Sequence, residues 1–167
     1  DISGWDISDA NLYEAAKRAH VLEPTLIEQL KGDLEKIKPM PAVLNPDFIA
    51  SNQADRADNV RLGTNQELID ALRVDIQECK KRNDKVILLW TANTEMFLLP
   101  EINALDDLED RIKNNVPLPA SVLYCVAAIL EGITYLNGSP QNTFHPAVVE
   151  MAGKHGALLA GNDFKSG

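Results

Sequence analysis

A chain of 167 residues, 45% hydrophobic and 25% charged, is long enough to bury one domain's core and too apolar to stay disordered. Its net charge of -9 argues against a nucleic-acid or anionic-membrane surface, because phosphate recognition on that scale needs clustered Lys and Arg, but it leaves room for a small anion in a local pocket. No apolar run approaches the roughly 20 residues of a membrane span. Cys79 and Cys125 lack metal-ligand spacing and read as reduced thiols of an intracellular protein, with a disulfide between them left open. The start at Asp1, with neither an initiator Met nor a signal-peptide pattern, and the end in mid-motif at Lys165-Ser166-Gly167 are what a piece of a longer polypeptide would show.

Ser8-Asp9 offers N-cap chemistry for a short helix towards Val21, with Leu12, Ala15, Ala16 and Ala19 on one face. Pro24 suits a helix start, and Leu26, Ile27, Leu30, Leu34 and Ile37 continue at helical spacing to Lys38, predicting a second helix. From Pro39 to Gly63 periodicity fails; Asp47 to Ala50 reads as a short strand or turn, and the polar segment 51–59 as the opening of a short helix. Asn65 is the expected cap of a long amphipathic helix ending in Lys80-Lys81-Arg82, where cations meet the negative helix end.

Lys85 to Trp90 is a continuous apolar run, the pattern of a parallel strand buried on both faces. A helix is expected from about Ala104, broken by Pro117 and Pro119, and a nearly all-apolar buried helix from Ser121 to Leu130. Ile133 to Leu136 is the next strand. A helix over Pro146 to Met151 closes around Lys154-His155-Gly156, and Ala157 to Gly161 is a third strand. This order predicts an α/β fold with a mostly parallel sheet.

Each strand gives way to a polar turn: Thr91-Ala92-Asn93-Thr94-Glu95, Asn137-Gly138-Ser139-Pro140-Gln141-Asn142-Thr143 and Asn162-Asp163-Phe164-Lys165-Ser166. Ligands of open α/β sheets bind at the carboxyl ends of strands, so three such turns on one sheet edge outline a composite pocket of neutral donors and acceptors. Taken singly, the turn after Leu136 is also explained by side chains capping their own backbone, and the turn after Trp90 by Thr or Asn capping a helix. Glycine-rich dinucleotide and Walker loops, zinc spacings and a nucleophile elbow are absent, and His20, His145 and His155 are scattered. Lys165 stands apart as a cation near a strand end, able to bind a phosphate or protonate an oxyanion, or simply to pair with Asp163.

Gly4-Trp5-Asp6-Ile7-Ser8, Pro46 to Gln53, Leu89 to Glu95, Asn137 to Thr143 and Gly161 to Gly167 stand in an order and spacing that resemble eukaryotic-type inositol-3-phosphate synthase over essentially the whole chain. The resemblance implies the central part, residues 1–167, of a Rossmann-like NAD-binding domain. It implies an enzyme that converts D-glucose 6-phosphate to 1D-myo-inositol 3-phosphate by oxidation, enolisation with intramolecular aldol closure, and reduction, with NAD regenerated each turnover. A cytoplasmic homotetramer serving inositol and phospholipid biosynthesis is implied for the full-length chain; no metal-ligand set stands out among these residues, and from charge and hydropathy no nucleic-acid or membrane partner is expected.

By the same resemblance Asp6, Ala42, Val43, Gln53, Arg56, Thr91, Ala92, Thr94, Gly138, Ser139, Asp163 and Ser166 belong to the NAD site, and Lys165 to the catalytic neighbourhood. Ala42 stands where members often carry Ser, so only a backbone contact is expected there. Met96 and Asn162 replace an Arg and an Asp found in many members, each removing a charge. The family's glycine-rich phosphate loop lies upstream of Asp1 and most of its catalytic lysines and tetramerisation sheet downstream of Gly167, so this stretch alone is expected to be inactive. The competing expectation is a non-catalytic nucleotide-binding or scaffold domain using the same sheet edge.

Overall fold

The computed structural model describes residues 2–51 and 57–164. The chain divides into two compact units, residues 1–44 with 52–61 and residues 45–51 with 62–167.

In the first unit, β1 (Trp5–Asp6) pairs in parallel with β2 (Met40–Pro41), in register Trp5 to Met40 and Asp6 to Pro41, and Ala42 continues the pairing as a single parallel bridge to Val60. Asn59 ties these strands together: its side-chain amide donates to the carbonyls of Asp6 (3.0 Å) and Met40 (3.3 Å), and its backbone N–H to Ile7 O (2.9 Å). Strands of two residues leave no period-2 pattern, which is why the sequence reading contains neither.

Helix α1 (Leu12–Ala19) starts not at Ser8-Asp9 but at Asn11, whose side chain accepts from Glu14 N while Glu14 reaches back to Asn11 N, a capping box. The single helix expected from Pro24 to Lys38 is two, α2 (Pro24–Gln29) and α3 (Lys31–Leu34). Leu30 between them has φ -92° and ψ 1°, outside the helical well, and Gly32 in the first turn of α3 is a poor helix former.

In the second unit, a single 3-10 turn at Pro46–Phe48 stands in place of the expected strand or turn over Asp47 to Ala50. Helix α4 (Asn65–Lys80) is capped by Thr64, in a capping box with Glu67, rather than by Asn65. Asn65 takes its first position and donates its side-chain amide to Val116 O at 2.8 Å. Then come β3 (Ile87–Trp90), α5 (Leu105–Lys113), α6 (Ala120–Leu130), β4 (Thr134–Asn137), α7 (Pro146–His155) and β5 (Leu159–Ala160). The sheet order is β3-β4-β5, all parallel, with Leu89 opposite Leu136 and Leu136 opposite Ala160. Helix α6 is buried on every side except its last residue, as its apolar sequence requires, and packs against α4, α7 and β4. Its Tyr124 meets Trp90 edge to face at 5.6 Å.

The strand Lys85 to Trp90 was expected to be covered on both faces, and here the structure differs. Along β3, Leu88 and Trp90 are buried while Ile87 and Leu89 are 60% and 47% exposed, so helices cover one face only. Leu158, 69% exposed, adds to the open side. Cys79, half-buried on α4, and the buried Cys125 on α6 are both thiols.

Candidate functional site

In the second unit the three polar turns meet at the carboxyl ends of β3, β4 and β5. Gly138 N donates to Trp90 O (3.0 Å), and Phe164 N donates to Gly138 O (3.1 Å), so the turn after β4 is held on both sides by backbone. A Cβ on Gly138 would collide with Trp90 O and the Phe164 ring. Gly161 lies at φ 85° with the space for its Cβ filled by the carbonyl of Asn137. Both glycines are therefore required by close backbone approach, the second also by its left-handed conformation.

Side chains join the turns further. Ser139 Oγ donates to Ala92 O at 2.6 Å, linking the turns after β4 and β3 across 47 residues of sequence. Asn137 Oδ1 accepts from Ser139 N (3.2 Å) and Gln141 Nε2 (3.1 Å), and Asn142 exchanges bonds with Leu98 N and O at 3.2 and 3.0 Å. Asn137, Ser139, Gln141 and Thr143 are all buried. Asn137 and Gln141 satisfy groups of their own turn, as the self-capping reading has it, whereas the Ser139 and Thr143 hydroxyls reach outside it to Ala92 O and Ser121 Oγ.

Thr91, Ala92 and Thr94, by contrast, are exposed, as is Asp163. Among the described residues of the three turns there is no Lys or Arg. Hydroxyls, backbone amides and one carboxylate suit the ribose hydroxyls and carboxamide of a dinucleotide; its pyrophosphate needs backbone N–H groups or residues elsewhere. The donor set thus fits the nicotinamide riboside end of NAD.

In the first unit Asp6 is exposed at the carboxyl end of β1, its Oδ1 fixed by Ser8 N at 2.9 Å, the position from which an acidic residue of a parallel strand reaches a ribose hydroxyl. Ala42 and Val43 are buried. The Ala42 N–H is committed to Asn59 O (3.0 Å) and its carbonyl accepts from Arg61 N (2.8 Å), so the expected backbone contact narrows to the carbonyl's second lone pair. Gln53, Arg56, Lys165 and Ser166 lie outside the described residues. Among the described residues no cluster of three or more His, Cys, Asp or Glu could hold a metal ion, and no helix is long and apolar enough to cross a membrane.

One residue in this region has a role the sequence reading missed. Glu95, read only as the end of a polar turn, is 4% exposed, and its carboxylate accepts from the backbone N–H groups of Ala120 (2.7 Å) and Ser121 (3.0 Å) at the start of α6. Helix α6 has Pro119 at its cap position and no side-chain cap of its own, which is the signal that an acceptor must come from elsewhere. Burial pushes the Glu95 carboxyl above its usual value of 4.5, against the opposing pull of the bonds from Ser121 and Ala120.

A parallel α/β layer with polar turns gathered at the strands' carboxyl ends places the chain in the class of open-sheet α/β domains that bind ligands at that edge. The family of NAD-binding domains described as myo-inositol-1-phosphate synthase matches residues 1–166, and the chain belongs to that family, whose cofactor is NAD. It is 48% identical over 169 residues to inositol-3-phosphate synthase 1-B of Xenopus laevis, covering 98% of this chain and 30% of that protein. It is 45% identical to isozyme 1 of Arabidopsis thaliana, covering 98% of this chain and 33% of that one. The crystal structure of inositol-3-phosphate synthase from Caenorhabditis elegans superposes with a TM-score of 0.93 at 47% identity, over 99% of this chain and 34% of that one. The chain spans about a third of the length of these relatives.

Proposed function

We propose that this chain is the central part of the NAD domain of an inositol-3-phosphate synthase that isomerises D-glucose 6-phosphate to 1D-myo-inositol 3-phosphate. The observation that carries the reading is the joining of the turns after β3 and β4 through Ser139 Oγ and Ala92 O, which leaves Thr91, Ala92 and Thr94 exposed at the strand ends. NAD, when bound, supplies a reversible hydride acceptor. The protein's own groups bind and orient it: Gly138 allows close approach of backbone, Thr91 and Thr94 offer hydroxyls, and Asp163 and Asp6 are acceptors for ribose hydroxyls. Ala42, Val43, Ser139, Gln53, Arg56 and Ser166 complete the proposed set, with Lys165 acting on the sugar phosphate or its enolate. The full-length protein is proposed to be a cytoplasmic homotetramer in inositol and phospholipid biosynthesis, a state that sedimentation of the full-length protein measures.

Full-length protein given glucose 6-phosphate and NAD is expected to release inositol phosphate with no net NADH, because oxidation and reduction cancel within one turnover. Steady NADH accumulation would mean an ordinary dehydrogenase instead. Asp163→Ala is expected to weaken NAD binding; unchanged affinity removes Asp163 from the site.

A further inference from the structure

Beneath the exposed turn after β3 runs a buried chain of hydrogen bonds. Gln141 Nε2 donates to Thr143 Oγ1 (3.2 Å), Thr143 Oγ1 donates to Ser121 Oγ (2.9 Å), and the Ser121 backbone N–H donates to the Glu95 carboxylate (3.0 Å). The same carboxylate takes the Ala120 N–H at 2.7 Å. Ser121 thus joins the two sets of bonds, its hydroxyl taking Thr143 and its backbone N–H reaching Glu95. The carboxylate lies one residue after Thr94, on the same short turn as Thr91 and Ala92, and at the positive end of the 11-residue helix α6. Gln141 closes the series back onto Asn137 at the end of β4.

We propose that Glu95, through Ser121 and Thr143, is a positioning residue of the NAD site: it clamps the turn after β3 to the start of α6 and to the turn after β4, fixing where Thr91, Ala92 and Thr94 stand. This rests on the NAD reading above. Glu95 itself is buried among protein donors and touches no ligand; its effect reaches the cofactor through the turn it anchors. A carboxylate is required because both oxygens accept: an amide in its place turns one acceptor into a donor facing a backbone N–H. A hydroxyl is required at position 143 because it must accept from Gln141 and donate to Ser121 at once.

The test measures NAD dissociation constants by calorimetry on the full-length protein, together with thermal melting and amide hydrogen exchange. Glu95→Gln is expected to weaken NAD binding about tenfold and Thr143→Val about fivefold, the scale of one or two buried hydrogen bonds. Thr143→Ser, which keeps the hydroxyl, is expected to bind as the unaltered protein does. Exchange at residues 91–96 should accelerate in both weakened variants while α4 and β4 stay protected, a pattern that a general loss of stability does not give. Unchanged affinity in folded Glu95→Gln and Thr143→Val overturns the proposal, and so does an equal loss in Thr143→Val and Thr143→Ser. If Glu95→Gln does not fold, the Thr143 pair decides alone. Failure of the unaltered protein to bind NAD overturns the NAD reading and this inference with it; binding that Thr143→Val leaves intact overturns only the inference.

Discussion

The turns after β3 and β4 leave neighbouring strands of one sheet, are equally polar in sequence, and do different work. After β4, Asn137, Ser139, Gln141 and Thr143 are buried and spend their hydrogen bonds within the protein, on each other, on Ala92 O and on Ser121 Oγ. After β3, only Glu95 turns inward, and Thr91, Ala92 and Thr94 stay in water. Apart from Gly138 and Ser139, proposed neighbours of NAD, the turn after β4 is scaffold, and the turn after β3 is presented by it. A polar, amide-rich loop at a strand end therefore need not be the surface that touches a ligand; its neighbour can be.

That contrast can be broken from either side. The largest effect is expected for Gly161→Ala, which forces a left-handed residue to carry a Cβ into the Asn137 carbonyl; a loss of about 3 kcal/mol, read as an urea-unfolding midpoint, combines the conformational and steric costs. Next comes Asn137→Leu, which leaves buried Ser139 N without its acceptor and takes from Gln141 Nε2 one of its two acceptors, and should cost about 2 kcal/mol. Equal stability to the parent would show that the turn after β4 is not scaffold. Thr94→Val should do the reverse, shifting stability by no more than about 0.5 kcal/mol while lowering NAD affinity several-fold in a calorimetric titration. A Thr94→Val protein that melts early but binds NAD normally would exchange the roles of the two turns.

The smallest expected effect is on pH dependence. His145, fully buried just beyond the turn after β4, accepts from Ile102 N at its Nδ1, and burial holds its pKa below the ordinary 6.5, with Glu101 opposing and Arg111 assisting. A depressed folded pKa means that the unfolded chain takes up a proton first. The stability is fully present above pH 6.5 and is lost as pH falls through the lower folded value. Melting temperatures followed downwards from pH 7 should show this acid-side decline, and His145→Asn should remove that component of it.

Much of this arrangement was legible in the residues. The apolar runs at Lys85 to Trp90, Ile133 to Leu136 and Ala157 to Gly161, separated by helical periods, carry the parallel sheet, and the break from apolar to polar after each marks the edge where the turns gather. What escaped has physical reasons. The open face of β3 leaves Ile87 and Leu89 exposed, and an apolar run cannot say whether both of its faces find partners. Leu30 interrupts α2 and α3 although its residue type is a good helix former, because backbone geometry there overrides propensity. Strands β1 and β2 are too short to show a pattern. Glu95 was read as part of a turn because its partners, Ala120 and Ser121, stand 25 and 26 residues further on.

Those separations also govern time. The contacts that set the turn after β3 lie 25 residues ahead at α6 and 47 residues ahead at Ser139, and parallel pairing of β3 with β4 needs the same span of chain. Contacts so distant in sequence must close large loops before they contribute, so they form late and slowly compared with a helix turn. A chain emerging from the ribosome can build α4 and α5 from local bonds while residues 91–96 still have no α6 or β4 turn to hold them. The surface proposed to meet the cofactor is thus among the last parts of this unit to take shape, and NAD present during refolding would find its partner only after the sheet has closed.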